Sequence, residues 1–129
     1  MRLFLIRHAK AQPGEPDEAR PLAEKGFEQA KRLAVTLSLH PTPPAVVLTS
    51  PLLRARQTAE AIAEATGAEL RVDDRIAPGA TAASLRTALD GLEGPVATVG
   101  HQPDCSEIAL ALTGSDPGFP TAGMLELEL

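Results

Sequence analysis

The chain has 129 residues, a length that fits one domain, residues 1–129. Hydrophobic residues make up 43%, enough for a core without a metal or disulfide staple, and that core must be aliphatic because aromatics make up only 2%. With no Trp or Tyr, a formal charge of −5 and Cys105 as the single cysteine, the composition argues against base-stacking or general nucleic-acid binding and excludes an intrachain disulfide or a cysteine-rich metal site.

The amino-terminal apolar stretch is interrupted early by Arg7 and is too short for a signal peptide. No apolar run approaches the roughly 18 residues of a spanning helix. The expectation is a cytoplasmic protein without a membrane partner.

Consecutive apolar residues from Leu3 to Ile6 predict a short buried strand over Arg2–Ile6. A polar loop with Pro13, Gly14, Pro16 and Pro21 follows. Leu22–Leu39 reads as a helix, with Phe27, Ala30, Ala34 and Leu37 on its apolar face. His40–Pro44, rich in proline, must break it, and His40 reads as an exposed loop residue. Ala45–Thr49 is a second buried strand and Leu52–Thr66 a second helix, with Gly67 placed to close it. Glu69–Val72 is a third strand, Ala82–Leu92 a third helix, Pro95–Val99 a fourth strand and Pro103–Thr113 a fourth helix. Leu and Glu alternate over Gly123–Leu129, the pattern of a half-exposed final strand. Strands alternating with helices imply an α/β fold: a three-layer α/β/α arrangement around a mostly parallel sheet.

In such sheets ligands sit beyond the carboxyl ends of the strands. Arg7 and His8 follow the first strand. Ser50, Pro51 and Arg54 follow the second, and Gly100 and His101 the fourth. Each of these residues has a structural reading when taken singly: a polar strand cap, a solvated helix residue, a loop histidine. Their coincidence at one sheet edge points instead to a tetrahedral oxyanion. Arginine forks bind two phosphate oxygens at once, helix N-termini add free N–H groups, and histidine attacks phosphorus when neutral or donates when charged. Rival chemistries fail on inspection. Cys-x5-Arg is absent, since Ala111 stands six after Cys105, and Cys105 reads as a packing residue. The P-loop pattern, HExxH and a GxSxG setting for Ser50 are absent as well.

Four segments, in order, resemble the histidine phosphatase superfamily, which also contains the phosphoglycerate mutases. Leu5–Ala9 resembles its RHG signature, Pro21–Ala30 its PLTxxGxxQA segment, Ser50–Ala59 its SPLxRAxQTA segment and Val99–Pro103 the segment carrying its second histidine. The resemblance implies a phosphoglycerate mutase-like fold, His8 as phosphoryl acceptor, and Arg7, Arg54 and His101 as the rest of the phosphate pocket. It selects Arg54 over Arg56. It implies catalysis without a metal or organic cofactor.

Two departures narrow the reading. Ala9 stands where many members have glycine. Larger relatives carry a carboxylate after the third strand that protonates the leaving group, and here Arg75 falls near that point, with Asp73 and Asp74 one or two residues away. The short chain without a lid insertion is similar to the SixA-type phosphohistidine phosphatases. The expectation is therefore a phosphatase acting on phosphohistidine of a phosphorylated protein. The alternatives are a phosphatase for a small phosphate ester, using Asp73 or Asp74 as acid, and a non-catalytic phosphoprotein-binding module.

Overall fold

The computed structural model describes residues 1–129. Strands β1 (Arg2–Arg7), β2 (Val46–Thr49), β3 (Glu69–Val72), β4 (Val96–Gly100) and β5 (Met124–Glu128) form one sheet in the order β3-β2-β4-β1-β5. The first four are parallel and β5 runs antiparallel beside β1. Helices α1 (Glu24–Ser38) and α2 (Leu53–Thr66) cover one face, α3 (Ala82–Leu89) and α4 (Asp104–Thr113) the other. The three-layer arrangement and mostly parallel sheet agree with the sequence reading. No helix is long and apolar enough to cross a membrane.

The central strands read as continuous apolar runs because both faces are covered. On β1, Leu3 and Leu5 pack toward α3 and α4, while Phe4 and Ile6 pack toward α1 and α2. On β4, Val96 joins the first cluster and Ala97 and Val99 the second. Full burial of each large aliphatic side chain is worth about 1.5–3 kcal/mol, so β1 is the anchor of both layers. On β5 the alternation holds: Leu127 is buried, and Glu126 and Glu128 turn outward to pair with Arg2 at 2.9 Å each. Cys105 is buried, and its thiol is pushed up to about 12 by that burial and by Asp104, so it packs rather than reacts.

The structure corrects several boundaries and two environments. Helix α1 begins at Glu24, because Leu22 is held in the preceding loop by a bridge to Ala11 and by its N–H donating to Gln57 Oε1 at 2.7 Å. Helix α3 stops at Leu89, before Gly91 with its φ of +78°. Phe27 is 50% exposed and lines a groove of about 480 Å³ between α1 and α2 instead of joining the core. His40 is not free in solvent: it packs edge-on against Phe4 at 5.0 Å and meets Glu126 at 2.9 Å.

The loop after β1 is pinned to the helices behind it. Lys10 N–H donates to Gln29 Oε1 at 2.9 Å, and the Lys10 carbonyl accepts from Ala23 N–H at 2.9 Å. Gly26, inside α1, lies directly against that same carbonyl, where a Cβ would collide with backbone. Gly26→Ala should therefore destabilise the chain by about 1–3 kcal/mol through forced displacement of the loop. Chemical denaturation measures this, and an unchanged midpoint would contradict the proposed packing.

Candidate active site

The sheet brings β2, β4 and β1 side by side, so their carboxyl ends form one edge. The ladder continues past the strands: Ser50 N–H donates to the Val99 carbonyl at 3.0 Å and His8 N–H to the Gly100 carbonyl at 2.9 Å. Residues up to 93 positions apart are thus fixed in register, with the His8 and His101 rings 5.2 Å apart, centre to centre. Arg7, His8, Arg54 and His101 all gather at this edge. Arg56, by contrast, is exposed on α2.

His8 Nδ1 lies 2.6 Å from the Ala9 carbonyl. A carbonyl only accepts, so Nδ1 carries the hydrogen and Nε2 holds a free lone pair. The ring is 9% exposed, and its pKa falls from 6.5 to about 4. Burial is the main cause. The Ala9 carbonyl opposes it, and Arg54, Arg7 and Arg20 add to the depression. At neutral pH the imidazole is therefore uncharged. His101 Nε2 lies 2.7 Å from Ser50 Oγ, which orients the ring, and Nδ1 is buried without a protein partner. Its pKa is also lowered to about 4, chiefly by burial and then by His8 and Arg54.

The arginines reach the same edge from different elements. Arg7 ends β1, and one terminal nitrogen donates to the Phe119 carbonyl at 2.9 Å while its buried Nε has no partner. Arg54 lies in the opening turn of α2, 7% exposed. Thr58 Oγ1 donates to the Arg54 carbonyl at 2.8 Å and accepts from Ala9 N–H at 3.0 Å, tying α2 to the loop that bears His8. Two guanidiniums beside two neutral imidazoles make a cationic recess matched to a phosphoryl group. No cluster of three or more His, Cys, Asp or Glu side chains is placed to hold a metal ion.

Of the two residues considered as acids, Asp73 is engaged by its neighbour Arg75. Asp73 follows β3, at the outer edge of the sheet, and accepts from Arg75 Nη2 at 2.7 Å and Arg75 Nε at 2.9 Å. These bonds hold its carboxyl below the usual range. Arg75 also reaches the Thr87 carbonyl at 3.2 Å, on α3. Sequence reasoning missed two residues that do reach the site, Asp17 and Arg20. Asp17 accepts from Arg54 and Arg20, and the Arg20 charge acts on His8. Their only sequence signal was a pair of opposite charges just before the Pro21 segment. Ser50 and Thr58 sat inside a recognised segment, but their contacts were invisible there.

The depressed histidines have a consequence for stability. The unfolded chain binds protons near pH 6.5, while folded His8 and His101 resist them until about pH 4. Their contribution is thus fully present above 6.5 and is lost as pH falls toward 4. The unfolding free energy should decline between pH 6.5 and about 5, and His8→Ala should flatten that slope. Equal slopes in the two proteins would refute the assigned charge state.

Comparison with known proteins identifies the family of the chain. Residues 3–77 match the family described as Histidine phosphatase superfamily (branch 1). An uncharacterized protein of Picosynechococcus sp. is 37% identical, over 99% of this chain and 85% of its own. A crystal structure from Agrobacterium tumefaciens, assigned as a phosphohistidine phosphatase SixA, superposes with a TM-score of 0.84 at 33% identity, covering 98% of this chain and 90% of that one. The protein histidine phosphatase SixA complexed with tungstate gives a TM-score of 0.88 at 25% identity, covering 100% and 88%. The chain belongs to the histidine phosphatase superfamily and is a phosphatase of the SixA type.

Proposed function

We propose that this phosphatase removes phosphoryl groups from phosphohistidine on proteins, through a phosphorylated His8. The observation that carries the reading is the Nδ1–H bond of His8 to Ala9, which aims an uncharged Nε2 beside Arg7 and Arg54. The Nε2 lone pair attacks phosphorus in line. The bond to the leaving group breaks with its electron pair going to that group, and Arg7, Arg54 and His101 stabilise charge on the equatorial oxygens. A bound phosphoryl dianion offsets the field that Arg54 and Arg7 exert on His101 and so favours its cation, which donates. Water next attacks the phosphorus of phospho-His8, releasing phosphate and restoring the imidazole.

The engagement of Asp73 by Arg75 supports this substrate class. An alkoxide leaving from a sugar phosphate needs a proton donor. Asp73 is held as a carboxylate by its two hydrogen bonds from Arg75, which makes it a poor proton donor. An imidazole protonated on its far nitrogen leaves without such help. Phosphohistidine is therefore favoured over small phosphate esters. A phosphohistidine-carrying protein should be turned over about a hundredfold more efficiently than any of a panel of sugar phosphates. Faster turnover of a sugar phosphate would transfer the assignment to small esters.

The residue roles are tested separately. His8→Ala should abolish turnover and the covalent label left by brief exposure to radiolabelled substrate. Arg54→Ala should lower kcat/KM by about 10²–10³-fold, since it removes donors that strengthen as charge shifts in the transition state. Arg56→Ala, exposed on α2, should change it less than about threefold. Reversal of those two effects would sink the placement of the phosphate pocket.

A further inference from the structure

Asp17 is tied to the site by three hydrogen bonds. Arg54 donates one terminal nitrogen to the Asp17 carbonyl at 2.9 Å and the other to Asp17 Oδ2 at 3.2 Å. Arg20 Nη1 donates to Asp17 Oδ1 at 3.0 Å, and Arg20 is itself fixed by its Nε–H on the Gln12 carbonyl at 2.6 Å. The Asp17 side chain is 62% exposed, while that of Arg54 is 9% exposed. The carboxylate therefore stands on the solvent side of the guanidinium. His8, almost fully buried, attacks from within, so the leaving group projects outward, to the solvent side on which the Asp17 carboxylate stands.

A fixed carboxylate at that point discriminates by charge. An alkoxide or phenolate gains negative charge as its bond to phosphorus breaks, and the carboxylate opposes that. A phosphoimidazole protonated on its far nitrogen is a cation with an N–H to donate, and the carboxylate favours it. We propose that Asp17 is a specificity-determining residue: its carboxylate, held by Arg54 and Arg20, accepts the ring N–H of a phosphoimidazolium substrate and disfavours leaving groups that become anionic. The inference rests on the phosphohistidine reading for its natural substrate.

Asp17 takes no proton. The electron pair of the breaking P–N bond remains on the leaving nitrogen, and the departing imidazolium becomes neutral imidazole. Because positive charge is lost as the bond breaks, the attraction is strongest in the bound substrate. Its effect therefore falls mainly on KM. The Arg20 and Arg54 hydrogen bonds hold the Asp17 carboxyl below the usual carboxylate range, which suits an acceptor and not a general acid. The carboxylate also favours the charged form of His101.

The test is Asp17→Asn, which keeps the main-chain bond to Arg54, assayed on phosphoimidazole and on para-nitrophenyl phosphate. With phosphoimidazole, KM should rise and kcat/KM should fall about tenfold. With para-nitrophenyl phosphate, kcat/KM should rise, because an anion beside the phosphoryl group has been removed. The ratio of the two is the readout. A ratio unchanged from wild type, with both substrates altered alike or not at all, would overturn the proposal and reduce Asp17 to a support for Arg54. The broader reading fails on a different measurement, the wild-type preference between a phosphohistidine protein and sugar phosphates, whatever Asp17→Asn does.

Discussion

An uncharged imidazole held against two guanidiniums is the constraint around which this molecule is arranged. A phosphoryl pocket needs cations, and a histidine nucleophile needs a free lone pair. The arginines serve both needs, since the charge that binds phosphate also disfavours protonation of His8. The main chain then settles which nitrogen is free, through the bond from Nδ1 to the Ala9 carbonyl. This explains why alanine is tolerated at position 9. The contact uses the backbone, and the methyl group is buried with Leu22 and Ala30 in a small apolar cluster of its own.

The rest of the fold keeps that arrangement rigid. Parallel pairing of β1 and β2 with β4 places the three strand ends together, and both faces of these strands are sealed by aliphatic packing. Thr58 couples the backbone at Ala9 to the backbone at Arg54, so the nucleophile's loop and the arginine's helix share one hydroxyl. Gln29 and Gln57 satisfy loop amides at Lys10 and Leu22 in the same manner. Buried polar atoms left without partners concentrate partly here, at Arg7 Nε and His101 Nδ1. An unpaired buried group costs about 1–3 kcal/mol, which an arriving oxyanion offsets by accepting from it.

Much of the architecture was legible because burial on both sheet faces leaves an unbroken apolar signature, as in Leu3–Ile6, and because Gly67 closes α2 with a left-handed residue. His8, Arg7, Arg54 and His101 were legible because strand ends and recognised segments coincide. The errors share one cause, which is contact across long separations. Phe27 keeps helical register with Ala30 and Ala34, yet it lies where α1 faces a groove and not the sheet. His40 sits among prolines, but its environment is set by Phe4 and by Glu126 on β5. Asp17 bonds to a side chain 37 positions away, and no local pattern announces that.

The central claim is that His8 is neutral at working pH and presents Nε2. Nitrogen-resolved NMR of the imidazole, followed through a pH titration of the free protein, tests it most directly. A single neutral tautomer, protonated on Nδ1, should persist below pH 6.5 and titrate only near pH 4. A ring that titrates at its ordinary value near 6.5, or a neutral form carrying its hydrogen on Nε2, would contradict it.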